Sequence, residues 1–191
     1  MLFCGSKDIR RVIIKNKFFK ISFDEFYHAT KNGYSIDEIR QIYDNIKLPR
    51  QATVKSAGQD FFTPISFSLR PNETIVIPTG VRCRLAPMRF LAVLPRSGLG
   101  FKYRFQLDNT LGVIDGDYFD AINEGHIFIK ATNDSKEGKV VSVNAGGACA
   151  QGIILTYEIA DGAEADSANI RTGGFGSTSE VVEFGNADGG S

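Results

Sequence analysis

From Asp60 to Tyr157 the chain is a series of short β-branched and apolar runs punctuated by Gly, Pro and Asn. The runs Ile65–Leu69, Thr74–Ile77, Val81–Leu85, Arg89–Leu94, His126–Thr132, Lys139–Val143 and Cys149–Tyr157 have strand length and strand composition. So many short strands at this spacing predict an all-β barrel or sandwich. An earlier run, Ile9–Ile14, reads as a short first strand. Between it and Asp60 the period changes from two to about 3.6. Ser22-Phe-Asp-Glu25 and Ser35-Ile-Asp-Glu38 both have capping-box spacing, in which a serine oxygen takes an orphan helix N–H and a glutamate reaches back. Ile36, Ile39, Tyr43 and Ile46 then recur at helical spacing until Leu48-Pro49 stops the pattern, and Asn32-Gly33 supplies a turn between the two helices. Residues 22–46 are thus a two-helix insertion in a β fold. Phe18, Phe19, Phe23 and Phe26, with no basic groove beside them, read as a packing cluster.

At 191 residues and 42% hydrophobic content, the chain has the length of one domain with a real core. Lys+Arg and Asp+Glu both number 22, so no net positive field favours a nucleic acid polymer. A DNA-reading helix-turn-helix is disfavoured by Asp37, Glu38 and Asp44, which face only Arg40 and Lys47 on the second helix. The charge is uneven at the C-terminal end. Beyond Thr156 stand Glu158, Asp161, Glu164, Asp166, Glu180, Glu183 and Asp188 against the single base Arg171. Residues 161–191, rich in Gly, Ser, Ala and Asp, read as a flexible arm behind a folded domain spanning 1–160. Cys4, Cys83 and Cys149 lack zinc-site spacing and read as reduced thiols. The start lacks a secretory pattern and no apolar run reaches membrane-spanning length, so the expected location is cytoplasmic, with no membrane partner.

Five segments in order carry a chemical signature: Ala57-Gly58-Gln59-Asp60, Pro95-Arg96-Ser97-Gly98-Leu99-Gly100, Asp108 to Tyr118 (DNTLGVIDGDY), Ala150-Gln151, and Arg171 to Thr178 (RTGGFGST). Together they resemble the five ordered motifs of the trimeric dUTPase family. The helical pair and the Lys47–Thr53 lead resemble phage-type members, which implies a phage or prophage origin. The resemblance implies a jelly-roll-like barrel, a homotrimer with active sites shared between subunits, and Mg²⁺-dependent hydrolysis of dUTP to dUMP and pyrophosphate. Three departures stand out: Ala148 in place of a common arginine before Ala150-Gln151, one residue fewer between Arg171 and Gly173-Gly174-Phe175, and a turn Phe119–Gly125 longer than usual.

The resemblance also implies roles. The third segment would form a hairpin admitting uracil, with the Asn109 side chain and the backbone of Gly112, Val113 and Ile114 reading the base edge. A site built for uracil's acceptor leaves polar groups unpaired against cytosine's donor. Tyr118 would lie under the sugar and exclude a ribose 2′-hydroxyl, and Phe128 counts with the substrate-contacting residues. Asp115 would be the general base that orients the water attacking the α-phosphorus. Arg96, Ser97 and Gly98 would hold phosphate oxygens, or Arg96 would pair with a carboxylate at a subunit contact. Asp60 would support the metal region or only the scaffold. Gln151 would reach phosphate or satisfy backbone at a strand end. Mg²⁺ would sit on the triphosphate and water, without a direct protein ligand. In the arm, Phe175 would stack on uracil, Arg171 would pair with phosphate, and Gly176 and Ser177 would hold the γ-phosphate.

Two other functions compete. A dCTP deaminase shares the fold and needs a glutamate to activate water at the base, for which Glu124 is the nearby candidate. A regulatory protein could use the helical pair to engage a protein partner, with or without catalysis.

Overall fold

The computed structural model describes residues 14–164. Twelve strands and three helices are described there: β1 (Lys17–Lys20), α1 (Phe23–Thr30), α2 (Ile36–Asp44), β2 (Arg50–Gln51), β3 (Gln59–Phe62), β4 (Phe67–Leu69), β5 (Thr74–Pro78), β6 (Val81–Arg84), β7 (Arg89–Pro95), α3 (Ser97–Tyr103), β8 (Phe105–Leu107), β9 (Gly112–Ile114), β10 (Phe128–Asn133), β11 (Val141–Val143) and β12 (Ala148–Thr156). A 3-10 turn covers Gly116–Asp120.

All pairings are antiparallel. The largest sheet runs β2-β3-β12-β7-β9, a second runs β5-β10-β8, and the pairs β1-β6 and β11-β4 complete the wall. These sheets wrap one apolar core in a jelly-roll arrangement, with Phe61, Ile77, Leu91, Ile127 and Ile129 at or near zero exposure. The alternation read from sequence explains this. In β4 and β9, inward and outward residues alternate, which sends one set to the core and the other to solvent.

The seven runs read as strands from Ile65 onward each contain a strand, with ends moved by up to two residues. The expected strand at Ile9–Ile14 lies outside the described residues except for Ile14, which is in no strand. The first described strand is β1, whose Phe18 packs edge-on against Phe61 of β3.

Both serine caps form. In α2 the capping box closes locally: the Ser35 oxygen accepts from the Glu38 N–H, and the Glu38 carboxylate accepts from the Ser35 N–H at 2.8 Å. In α1 the Ser22 oxygen accepts from the Glu25 N–H, but the Ser22 N–H donates to Glu124, 102 residues away, at 2.9 Å. The pair is also part of the core. Phe26 and Ile39 have zero exposure, and Ile46 rests on Gly80 so closely that a Cβ there would strike its side chain. Gly80 holds φ +70°, a conformation suited to glycine.

Candidate functional site

The segment Asp108–Leu111 reverses the chain, yet its two arms do not pair with each other. β8 joins β10, whereas β9 joins β7 through Val93↔Gly112, Ala92↔Val113 and Leu91↔Ile114. The expected hairpin is therefore splayed between two sheets, and a pocket of about 300 Å³ opens in the gap. Of the residues named from the sequence for base and sugar, Asn109, Gly112, Ile114 and Phe128 line it, and Val113 and Tyr118 do not. Asp108, which opens the third segment, lines it too, as do Val76, Val93, Leu107 and Lys130, to which no motif pointed. The only sequence signal of these last four was strand alternation, which does not distinguish a pocket wall from a core wall.

The turn is held firmly. The Asp108 N–H donates to the Lys130 carbonyl at 3.1 Å, and its carboxylate accepts from the Thr132 hydroxyl at 2.6 Å and pairs with Lys130 at 3.2 Å. Thr110 sits at φ +63°, unusual for a β-branched residue. The Thr110 N–H donates to Leu107 and the Leu111 N–H to Asn109 at 2.6 Å. Strain of this kind, about 1–3 kcal/mol, persists where neighbours over-determine the backbone and is common at ligand sites. Gly112 packs on Val93: a Cβ would come 3.2 Å from Cβ of Val93 and 3.8 Å from Nδ2 of Asn109. Any side chain there would press into the pocket wall. Val113 alternates outward and is exposed.

Asp115 follows Ile114 directly and precedes the 3-10 turn, where its carbonyl accepts the Tyr118 N–H at 3.3 Å. Asp115 is exposed and Tyr118 is buried. The Tyr118 hydroxyl donates to the His126 carbonyl at 2.7 Å and accepts from the Asn123 amide at 2.8 Å. Three residues apart, Asp115 and Tyr118 thus share one turn closed by a backbone hydrogen bond.

Arg96, Ser97 and Gly98 form a second group where β7 passes into α3. They lie beside a surface depression lined by Pro95, Arg96, Ser97, Gly100, Phe101 and Arg104. Ser97 and Gly98 are exposed, and a Cβ on Gly98 would meet nothing within 4 Å, so a ligand could approach this backbone. The Arg96 guanidinium donates from Nε to Asp60 at 3.0 Å and from Nη1 to the Ala148 carbonyl at 3.5 Å. Asp60 and Gln151 face each other across β3 and β12. The Gln151 amide N–H donates to the Pro95 carbonyl at 3.0 Å, and its Oε1 lies against Gly58, where a Cβ would collide with it. That contact accounts for Gly58. The far end of α3 is tied by Arg104, whose Nε and Nη2 both reach Asp134, at 3.0 and 2.9 Å. The two groups share no lining residue. Arg171, Phe175, Gly176 and Ser177 lie outside the described residues.

Glu124 faces away from base chemistry. Both of its oxygens accept from Ser22, and the Arg82 guanidinium stands 3.8 Å away. Burial pulls its carboxyl upward, but the Ser22 hydrogen bonds, aided by Arg82 and His126, outweigh this and hold it below the usual value. His126 beside it is fully buried, and burial pushes its pKa down to about 4. Nε2 of His126 accepts the Gly80 N–H at 3.0 Å, so the neutral ring carries its proton on Nδ1. That atom faces Glu25 at 3.6 Å, just outside hydrogen-bond reach. Burial and the Glu124 charge raise the Glu25 carboxyl. The Cys83 and Cys149 thiols are free and buried, and burial pushes both up to about 12, so they are unreactive at neutral pH. Cys4 lies outside the described residues.

A dUTPase family model matches residues 44–179, starting at the end of α2 and running through the fifth motif. Curated deoxyuridine 5′-triphosphate nucleotidohydrolases are similar: 37% identity to that of Lactococcus lactis over 134 residues, covering 70% of this chain and 88% of the relative, and 39% to that of Methylobacillus flagellatus over 139 residues, covering 69% and 87%. Among solved structures, the dUTPase of Streptococcus mutans superposes with a TM-score of 0.57 at 27% identity, covering 76% of this chain and 98% of that one. A dUTPase from Staphylococcus aureus phage phi11 shares the fold, with a TM-score of 0.53 at 20% identity over 65% of this chain and 93% of that one. With the splayed turn, the pocket and the five ordered motifs in place, the chain belongs to the dUTPase family.

Proposed function

We propose that the protein hydrolyses dUTP to dUMP and pyrophosphate by attack of water on the α-phosphorus. The observation that carries this is the pocket of about 300 Å³ between β8 and β9, with Asp115 immediately after its wall residue Ile114. Uracil enters between Asn109 and Phe128 and pairs with backbone groups of the turn. Cytosine is refused because its donor meets donors, and the close Gly112–Val93 contact leaves no slack for a bulkier base. Tyr118 underlies the sugar. Asp115 takes the proton of the attacking water while the pyrophosphate oxygens leave in line. Proximity and orientation do most of the work, which suits a carboxylate whose backbone is held at the start of the 3-10 turn.

Arg96, Ser97 and Gly98 hold phosphate oxygens in this reading, and Phe175, Arg171, Gly176 and Ser177 of the arm close over the nucleotide. The separation of the base pocket from the phosphate group within one chain supports a homotrimer in which neighbouring subunits complete each site. Phe101 is 93% exposed and Ile122 86%, apolar surface that a subunit contact would cover. Among the described residues no three of His, Cys, Asp and Glu cluster to cage a metal. In this reading a Mg²⁺ would be held by the triphosphate and water, with Asp60 supporting from behind Arg96, and would supply neutralisation of phosphate charge. The phi11 enzyme is described as coordinating a structural Mg(II) ion. The reaction belongs with the free nucleotide pool of the cytoplasm, and no helix among the described residues is long and apolar enough to cross a membrane. Exposed Tyr34 and Ile36 on the helical pair offer the place for a protein partner.

Pyrophosphate release measured across the common dNTPs tests the reading: dUTP is turned over, the others are not, and dCTP yields no ammonia. Asp115→Asn keeps the fold and nucleotide binding while turnover falls by at least about a thousandfold, within the range for removing a general base. Undiminished hydrolysis by that variant would overturn the role of Asp115.

A further inference from the structure

A polar cluster joins α1 to the turn that follows Tyr118, and neither the pocket nor the phosphate group uses it. Both oxygens of Glu124 bind Ser22: Oε2 accepts from the backbone N–H at 2.9 Å and Oε1 from the hydroxyl at 2.6 Å. These are charge-assisted bonds, stronger than neutral ones. The turn that carries Glu124 is wound tightly on Tyr118. The Ala121 N–H donates to the Tyr118 carbonyl at 3.1 Å, the Asn123 amide to the Tyr118 hydroxyl at 2.8 Å, and that hydroxyl to the His126 carbonyl at 2.7 Å. Both the backbone and the hydroxyl end of the tyrosine are therefore held by residues 121–126. Glu124 and Gly125 sit at φ +55° and +67°, and a Cβ on Gly125 would lie 2.5 Å from the Tyr118 carbonyl. Glu124 has no glycine's freedom, so its left-handed conformation needs an external hold. Ser22 provides one. Arg82 adds a second, stacking 3.7 Å over the Phe119 ring and donating to the Phe119 carbonyl.

We propose that Glu124 is a positioning residue for the nucleotide site: by clamping the turn 119–125 to the N-terminus of α1 it fixes Tyr118, and so sets how strictly the site rejects a ribose. The inference rests on the proposed place of Tyr118 under the sugar. It gives the helical pair a catalytic consequence although none of its residues lines the base pocket or the depression beside Arg96. When the clamp is released, the left-handed turn relaxes, the two grips on Tyr118 loosen together, and the ring can yield to a 2′-hydroxyl.

The test compares kcat/KM for dUTP and UTP in the wild type, Glu124→Ala, Glu124→Gln and Ser22→Ala. Glu124→Ala is expected to lower the dUTP-over-UTP ratio about tenfold, a part of what its two charged hydrogen bonds to Ser22 are worth, since the effect reaches the sugar only through Tyr118. Most of the change should come from faster UTP turnover. Glu124→Gln keeps an acceptor for the Ser22 N–H and a donor for its hydroxyl but loses the charge, so it should restore most of the wild-type ratio, which a charge-only effect would not. Ser22→Ala removes the hydroxyl bond to Glu124, together with the cap on the Glu25 N–H, and leaves the backbone bond, so it should shift the ratio about two- to threefold in the same direction. That variant carries the test if Glu124→Ala does not fold. Where Glu124→Ala folds, adding Ser22→Ala to it should leave the dUTP-over-UTP ratio where it is, because both reach Tyr118 through the same contact, while the lost α1 cap should show in stability alone. A wild type that turns over dUTP while Glu124→Ala, or failing it Ser22→Ala, keeps the wild-type ratio overturns the inference and leaves the function standing. A wild type without dUTP turnover overturns both.

Discussion

His126 should make the fold acid-sensitive in a window set by its own burial. The ring is fully buried against Phe26 and Phe128, with Nε2 accepting from Gly80. Protonating Nε2 would set one N–H against another, and the charge would have no water. Burial accordingly takes the pKa from 6.5 to about 4, while the Glu124 carboxylate pulls the other way. The unfolded chain then binds a proton near pH 6.5 that the folded chain refuses until about pH 4. The stability associated with the neutral ring is complete above pH 6.5 and is lost as the pH falls toward 4. At 1.36 kcal/mol per unit the full loss is about 3 kcal/mol, of which about 2 kcal/mol is gone by pH 5. Glu25 opposes the trend, since a raised carboxyl pKa favours the folded state in acid, whereas Glu124, lowered, adds to the loss. Comparison with His126→Gln removes most of both, because the amide still offers an acceptor near the Gly80 N–H and does not titrate. Urea unfolding at pH 7.5, 6 and 5, at one fixed protein concentration to hold assembly constant, should show the wild-type advantage over the variant shrinking by about 2 kcal/mol across the range. An advantage that does not change with pH would refute the reasoning.

Phe26→Ala should cost about 3–5 kcal/mol in the same urea assay, because its ring has zero exposure; a cost under about 1 kcal/mol would mean α1 is not part of the core. Tyr118→Ala should admit UTP, read as a fall in the dUTP-over-UTP kcat/KM ratio, with a stability loss of similar size from the emptied core site. If the ratio holds, sugar discrimination lies elsewhere. Truncation after Asn169 should keep the oligomer, seen by light scattering, and lower turnover by about a hundredfold or more, the scale of lost phosphate contacts and water exclusion. Full activity in the truncated chain would remove the arm from the mechanism.

Much of the wall was legible because strand alternation is a local signal, and both helices announced themselves through their serine caps. What stayed hidden was held by distant partners. α3 reads Ser-Gly-Leu-Gly-Phe-Lys-Tyr, whose two glycines make a poor helix. Its fixed ends, Arg96 on Asp60 and Arg104 on Asp134, do what propensity does not. β3 starts on the polar pair Gln59-Asp60 and owes its extension to β2 and β12 on either side. The site divided in the same way. Asn109, Gly112 and Ile114 were readable because the motif order carried them, whereas Val76, Leu107 and Lys130 reach the pocket only through the pairing of β10 with β5 and β8. Arg96 had two readings, phosphate or carboxylate, and in the ligand-free chain its Nε is on Asp60.

The identical Ser-x-Asp-Glu patterns at Ser22 and Ser35 show why a local rule can be right about an element and silent about its use. Both serines cap a helix through the third residue on, yet only Glu38 returns the bond. Glu25 is turned toward the buried His126 instead, and the vacant place on the Ser22 N–H is taken by Glu124 from the lengthened turn. The helical pair and the long turn, two separate oddities in the sequence, therefore need each other. Without the turn, α1 keeps an unsatisfied N-terminal N–H. Without α1, Glu124 loses both hydrogen bonds, and Phe26 no longer covers His126, whose ring anchors Gly80 and whose carbonyl anchors Tyr118. Replacing residues 22–46 by a linker would consequently strip the core and slacken the turn beside Asp115 in one step. A helical pair that carries no motif residue is still structurally upstream of Tyr118 in the third motif.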